Sequence, residues 1–172
     1  IFQPEWSPDG TLYFVSDRTG WWNLYRWKEN NVDPLCQMEA EFGQPQWVFG
    51  SSLYGFASAS QIVCCYRKDG CDFLATLNTE TMALDRIDVP FATISQVRAG
   101  GDRVLFIGGS STATTSIVSM DLTTKRFEVL RRSREATVDA GYISAPRAVE
   151  FPTEGGLTAH GNFYPPQNRD YA

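Results

Sequence analysis

The sequence predicts an all-β fold made by repeating one four-stranded antiparallel unit, and three observations carry that reading. Short runs rich in Val, Ile, Phe, Tyr, Trp and Leu are bounded by Gly, Pro, Asp or Asn, the pattern of strands joined by hairpins. No window of a dozen residues holds its apolar positions at helical spacing. The same order of runs and turns returns three times, with Leu12, Ile62 and Val104 opening the second run of each unit and Leu35, Ile87 and Leu130 closing the fourth. A four-strand unit at a period of roughly 40 to 50 residues is the signature of a β-propeller, whose blades bury both faces against their neighbours. An all-β sandwich could also hold these strands, but it would not require the same unit three times.

The first unit, residues 1–36, runs from Phe2 to Ser7, turns at Pro8-Asp9-Gly10 into Thr11 to Asp17, turns again at Arg18-Thr19-Gly20 into Trp22 to Trp27, and closes with Val32 to Leu35. The second, residues 45–88, places Ser52 to Ser58, Gln61 to Arg67, the turn Lys68-Asp69-Gly70, Asp72 to Asn78 and Ala83 to Ile87 in the same order. The third, residues 93–130, repeats it with Ile94 to Arg98, the turn Gly100-Gly101-Asp102, Arg103 to Gly108, Ser116 to Leu122 and Arg126 to Leu130. Closed propellers have about four to eight blades, so three blades read as part of a larger ring. The pattern then changes. Residues 131–147 are a polar connector, and residues 148–172 read as the opening strands of a second domain, a hairpin of Ala148 to Phe151 and Leu157 to Tyr164 around Pro152-Thr153-Glu154-Gly155-Gly156. The chain opens at Ile1-Phe2, inside strand sequence and without an initiator methionine, so the natural N-terminus is expected upstream.

Composition narrows the function. The 172 residues are 42% hydrophobic and carry a net charge of −5, which suits a folded domain and not a nucleic-acid binder; Arg131-Arg132-Ser133-Arg134 reads as a solvated connector. No apolar stretch approaches the roughly 18 residues of a membrane helix, and neither nucleic acid nor membrane is expected as a partner. Cys36, Cys64, Cys65 and Cys71 lack zinc-site spacing and a histidine partner, and Cys64 and Cys65, adjacent in a strand, should point to opposite faces. Free thiols and the absence of an N-x-[ST] acceptor predict a cytoplasmic protein, with no metal and no cofactor. Gly100-Gly101 and Gly155-Gly156 lack the helix and lysine of a phosphate-binding loop and read as turns.

Trp6-Ser7-Pro8-Asp9-Gly10-Thr11-Leu12-Tyr13-Phe14, followed by Ser16-Asp17-Arg18-Thr19-Gly20 and Asn23-Leu24-Tyr25, resembles the blade motif shared by TolB-like propellers and the propeller of prolyl oligopeptidase family serine peptidases. The tail from Glu150 to Pro166 separates the two, because it resembles the passage from the last blade into the α/β-hydrolase domain, most like the bacterial dipeptidyl aminopeptidase and acylaminoacyl peptidase branch. The resemblance implies the last three blades of a seven-bladed propeller, followed by a hydrolase domain that cleaves short peptides with a Ser-Asp-His triad. No G-x-S-x-G elbow occurs here, so no catalytic residue is assigned and the triad is expected outside this chain. Gly108-Gly109-Ser110-Ser111 comes nearest but sits at a hairpin tip. His160, the sole histidine, does not lie where the family carries its catalytic one.

Strand alternation within a blade puts the loop between strands two and three, the end of strand four and the inter-blade connections on one face, the face by which the chain leaves for its second domain. Residues 17–21, 68–71, 108–115, 36–45 and 88–93 fall there. Glu39 and Glu41, on the connection after the first blade, are candidates to hold a substrate's free amino group by charge-assisted hydrogen bonds, with Arg18 and Trp21 as further cavity-facing candidates. Of the adjacent Trp21 and Trp22, one should pack inward and the other outward. Two functions remain open: a substrate-gating propeller of a serine peptidase, whether aminopeptidase, dipeptidyl peptidase or oligopeptidase, and a non-catalytic TolB-like module that binds a protein partner.

Overall fold

The computed structural model describes residues 1–45, 47, 49–135 and 138–171; Gln46 and Val48 of the second unit, Ala136 and Thr137 of the connector, and Ala172 at the end of the tail lie outside the described residues. The first sheet is β1 (Phe2–Trp6), β2 (Leu12–Ser16), β3 (Asn23–Lys28) and β4 (Asn31–Cys36). The second is β5 (Tyr54–Ser58), β6 (Gln61–Lys68), β7 (Cys71–Asn78) and β8 (Leu84–Ile87), and the third is β9 (Thr93–Gly100), β10 (Arg103–Gly109), β11 (Ser116–Asp121) and β12 (Phe127–Arg132). Each sheet is antiparallel with its strands in chain order, the up-and-down meander of a propeller blade. A separate hairpin of β13 (Arg147–Pro152) and β14 (Thr158–Phe163) follows.

The turns explain why the strands stop where they do. Between β1 and β2, the Ser7 hydroxyl donates to the Asp9 carboxylate, and the Thr11 N–H donates to the Ser7 hydroxyl (3.1 Å) and to Asp9 (3.2 Å) while Gly10 takes φ +81. Those donors hold the Asp9 carboxyl below its ordinary value. Two-residue hairpins need φ > 0 at both central positions. Glu29 and Asn30 (φ 51 and 60) supply this between β3 and β4, and Asp69 and Gly70 (φ 50 and 76) between β6 and β7. The longer turns after β7 and β11 rest on one side-chain oxygen each. Asn78 Oδ1 accepts the N–H groups of Glu80 and Thr81, and Asp121 Oδ1 those of Thr123 and Thr124, the usual Asx arrangement.

The core lies between sheets. In β6 the four successive residues Ile62, Val63, Cys64 and Cys65 are all buried, because a sheet sandwiched by two others has no solvent face. Cys64 and Cys65 therefore point to opposite faces, as adjacency requires, and both are enclosed; their burial pushes both thiols well above the ordinary value. Phe56 of the second sheet meets Tyr13 of the first edge to face at 5.1 Å. The second and third sheets approach closely where Gly55 faces Ala99, since a Cβ on Gly55 would stand 2.8 Å from the Ala99 backbone nitrogen.

Two outcomes follow from this packing. Replacing Gly55 by Ala forces two backbones apart and should cost about 1–3 kcal/mol, read as a lower urea midpoint in equilibrium unfolding; an unchanged midpoint would mean the sheets are not this close. With iodoacetamide under native conditions, exposed Cys71 should label first and half-buried Cys36 next, with Cys64 and Cys65 protected until the chain unfolds. The raised thiols stabilise fully below the unfolded value near 9, and that contribution is lost as pH rises through the higher native values, so the urea midpoint should fall on the alkaline side.

Candidate functional site

After β4 the chain crosses to the second sheet along the ends of β2, β3 and β6. Its residues alternate. Ala40 and Phe42 are buried, Phe42 against the ring of Tyr66 at 5.2 Å, so Glu39 and Glu41 are turned outward. Glu41 is fixed at the seam between the first two sheets. Its N–H donates to the Arg67 carbonyl (2.9 Å), its carbonyl accepts the Arg67 N–H (2.8 Å), and the Phe42 N–H donates to the Trp22 carbonyl (2.7 Å). Its Oε2 accepts the Trp22 N–H at 2.8 Å, while Oε1 carries no hydrogen bond among the described residues.

Across from it stand Arg67 and Asp72, directly opposed on β6 and β7. The Asp72 carboxylate is buried and takes both Arg67 Nε (2.7 Å) and Nη2 (3.2 Å), a fork-to-fork pair; Asp72 Oδ2 also accepts the Ile94 N–H of the third sheet (2.9 Å). Hydrogen bonding to Asp72 raises the Arg67 guanidinium further above its ordinary value, so it stays charged at every working pH. Between these groups lies a cavity of about 240 Å³ whose wall includes Trp22, Glu41, Gly43, Leu53, Cys65, Arg67, Asp72 and Ile94. The Trp22 indole fits because residue 43 has no side chain: a Cβ there would lie 2.7 Å from the ring. Cys65 floors the cavity as a neutral thiol donating to the Ile94 carbonyl (3.5 Å). The arrangement offers a carboxylate with an unused oxygen at one rim and a pinned guanidinium at the other, beside an aromatic wall. It suits recognition of a polar, charged group.

Of the four candidates read from sequence, Glu41 alone lines this cavity. Glu39 is exposed one alternation away. Trp21 is 40% exposed, and the indole on the cavity is its neighbour Trp22, so the pair divides as adjacency requires. Arg18 lies over the rings of Phe14 and Tyr25 (5.8 and 4.8 Å to the centroids), on the face of the first sheet opposite to Tyr13, Val15 and Leu24, and is not brought together with Glu41. Arg67 and Asp72 were not among the candidates, although opposite charges flanking Lys68-Asp69-Gly70-Cys71 mark a cross-strand pair. Half-buried Ser110 closes its own turn by accepting the Ala113 N–H (3.0 Å), and exposed His160 sits 3.5 Å from Glu150 across the terminal hairpin. Among the described residues no three His, Cys, Asp or Glu side chains converge on a metal position, and no helix is long and apolar enough to cross a membrane.

The Arg67–Asp72 pair should be energetically real despite the 60% exposure of the arginine side chain, because the carboxylate is buried and accepts three hydrogen bonds. A double-mutant cycle of Arg67→Met and Asp72→Asn, followed by urea unfolding, should give a coupling of about 1–2 kcal/mol after allowance for screening. Coupling within error of zero would remove the pair as the joint between the second and third sheets.

No family model and no curated protein matches the chain. Solved structures do. A puromycin-hydrolyzing peptidase of Mycobacterium tuberculosis superposes with a TM-score of 0.90 and 31% sequence identity, over 98% of this chain and 26% of that one. Prolyl oligopeptidase B of Galerina marginata superposes with a TM-score of 0.68 and 13% identity over 92% of this chain and 22% of that one. TolB of Acinetobacter baumannii gives 0.59 and 14% over 92% and 40%. The last two share the fold alone. The chain spans about a quarter of the length of the peptidase it matches at 31% identity. Four-stranded blades in chain order and a likeness that runs along almost the whole chain lead to one conclusion: the chain is a stretch of β-propeller, similar over its length to part of a puromycin-hydrolyzing peptidase and sharing its fold with prolyl oligopeptidase B.

Proposed function

We propose that this chain is the substrate-gating part of a serine peptidase that cleaves short peptides, with hydrolysis performed by a Ser-Asp-His triad outside these residues. The observation that carries the reading is the likeness, blade for blade and into the terminal hairpin, to a puromycin-hydrolyzing peptidase. In this reading residues 1–130 are three blades of a larger ring, residues 131–147 the connector, and residues 148–172 the start of the α/β-hydrolase domain. The exit route supports it. Beyond β12 the Ser133 N–H donates to the Thr115 carbonyl (2.8 Å), so the chain leaves the third sheet beside the β10–β11 loop, on the face that carries Glu41 and its cavity. A domain joined there would look onto the cavity.

The gate works without a reactive side chain: the propeller walls off the active site, admits short or unfolded peptides, and holds them by groups on its rim. We assign Glu41 the role of accepting the peptide's free ammonium through its unused oxygen, with Glu39 as an outer carboxylate and Trp21 at the margin of the same face; Arg18, turned to the other side of the first sheet, has no part in it. That role would make the parent a peptidase that reads free N-termini, an aminopeptidase or dipeptidyl peptidase. The four unpaired thiols support a reducing, cytoplasmic setting.

The test uses the full-length protein. It should carry a G-x-S-x-G elbow followed by Asp and His beyond residue 172, and should hydrolyse puromycin or short peptides. Glu41→Gln should lower kcat/KM for peptides with a free amino terminus about 10- to 100-fold and leave N-acetylated peptides unchanged. Glu39→Gln should have a smaller effect of the same kind. An equal loss on free and blocked peptides would remove Glu41 from amine recognition. A full-length protein without the triad would leave a binding propeller.

A further inference from the structure

Three positions recur in every sheet and mark the face that covers the next one. In the first sheet they are Tyr13, Val15 and Leu24; in the second, Val63, Cys65 and Leu74, the register being fixed by the pairs Val15↔Leu24 and Cys65↔Leu74. All six are at most 2% exposed, because a following sheet lies on them. The corresponding residues of the third sheet are Leu105, Ile107 and Ile117, with Ile107↔Ile117 as the matching pair. There Leu105 is 43% and Ile117 46% exposed.

A polar device accompanies the apolar one. In β1 a bulge turns Gln3 to φ 47 and sends its amide across to the second sheet: Nε2 donates to Ser52 Oγ (2.9 Å) and the Tyr54 carbonyl (2.8 Å), and Oε1 accepts the Leu53 N–H (2.7 Å). In β9 the register shifts at the equivalent place, opposite Leu105 and Ile107, and the residue there is again a glutamine, Gln96, at φ 53. A non-glycine residue at positive φ is strained, so its recurrence with the same side chain points to a job. Gln96 is half-buried and has no hydrogen-bond partner among the described residues.

The reading of this chain as part of a larger ring already puts a further four-stranded blade on the open face of the third sheet, Leu105, Ile107 and Ile117; we propose that Gln96 latches that blade in place. The Gln96 amide donates to a backbone carbonyl and accepts a backbone N–H at the start of that blade's first strand, as Gln3 does at Leu53 and Tyr54. The occupant is a blade because the latch reads a bare first-strand backbone and the face repeats, position for position, the faces that sheets cover here. The inference rests on the reading of this chain as part of a longer propeller.

The experiment compares the 172-residue chain with the natural full-length protein, each carrying Ile117→Cys on a Cys71→Ser background, and follows maleimide labelling at residue 117 by mass mapping. Labelling should be about 100-fold slower in the full-length protein, as for a buried thiol reached through local opening. Adding Gln96→Ala should restore the rate at least tenfold there and leave it unchanged in the 172-residue chain, whereas Gln3→Ala should lower the urea midpoint of both. Leu105→Cys serves as a second reporter should the first variant misfold. Equal labelling in the two forms, or a full-length protein with no further blade, overturns the proposal. Protection of residue 117 in the 172-residue chain that grows with concentration, together with a dimer by light scattering, overturns it in favour of a second copy. Peptide hydrolysis is assayed separately: a full-length protein that protects residue 117 but cleaves no peptide defeats the peptidase reading alone.

Discussion

A sheet of four short strands cannot bury both its faces by itself, and this molecule follows from that constraint. The inner strands are apolar on both sides, as β6 shows with five buried residues in succession, so each sheet is stable only as the neighbour of another. The seams are then made specific by polar groups at their margins. Between the first two sheets, Gln3 joins the innermost strands, Glu41 joins the rim, and Arg26 donates to the Thr79 carbonyl (2.8 Å) farther along the seam. Between the second and third, Ser52 exchanges hydrogen bonds with Val97, and Asp72 accepts the Ile94 N–H. Apolar faces supply the driving force, and the polar joints set which sheet meets which and at what height.

The strands were legible because their signals are local. Each turn carries its own chemistry, such as Asp69-Gly70 or the side-chain oxygens of Asn78 and Asp121, and each run carries its own alternation, so the boundaries shift by only a residue or two. Cys64 and Cys65 were legible for the same reason. Glu41 could be placed on the face by which the chain leaves the third sheet because strand direction alone decides which loops share a face. Arg18 could not be aimed correctly, since the direction of a loop side chain depends on the rings of Phe14 and Tyr25 that it meets in three dimensions. Gln3 and Gln96 were silent because a bulge leaves no mark in hydrophobic periodicity. Arg67 and Asp72 were legible in principle, as opposite charges across a tight hairpin, but their importance lies in a third partner, the Ile94 N–H, which only the tertiary fold supplies.

The candidate site and the scaffold share their residues. Glu41 pairs with the first sheet through the Trp22 N–H and with the second through the Arg67 backbone, and Asp72 ties Arg67 to the third. In the proposed function the propeller serves as a wall, and the wall's joints face the cavity. The same polar groups that fix the height of each sheet thus set the charge pattern of the cavity rim.

The proposed function gives Glu41 a double use, which would make binding and ring stiffness a single thermodynamic cycle. In the proposed function, an ammonium at its second oxygen would compete with or reinforce the Trp22 N–H on the first, so a ligand at the rim would change the free energy of the first seam, and by reciprocity the tightness of that seam would change the ligand's affinity. The propeller is then more than a static sieve. In that role it would register occupancy as strain between two blades.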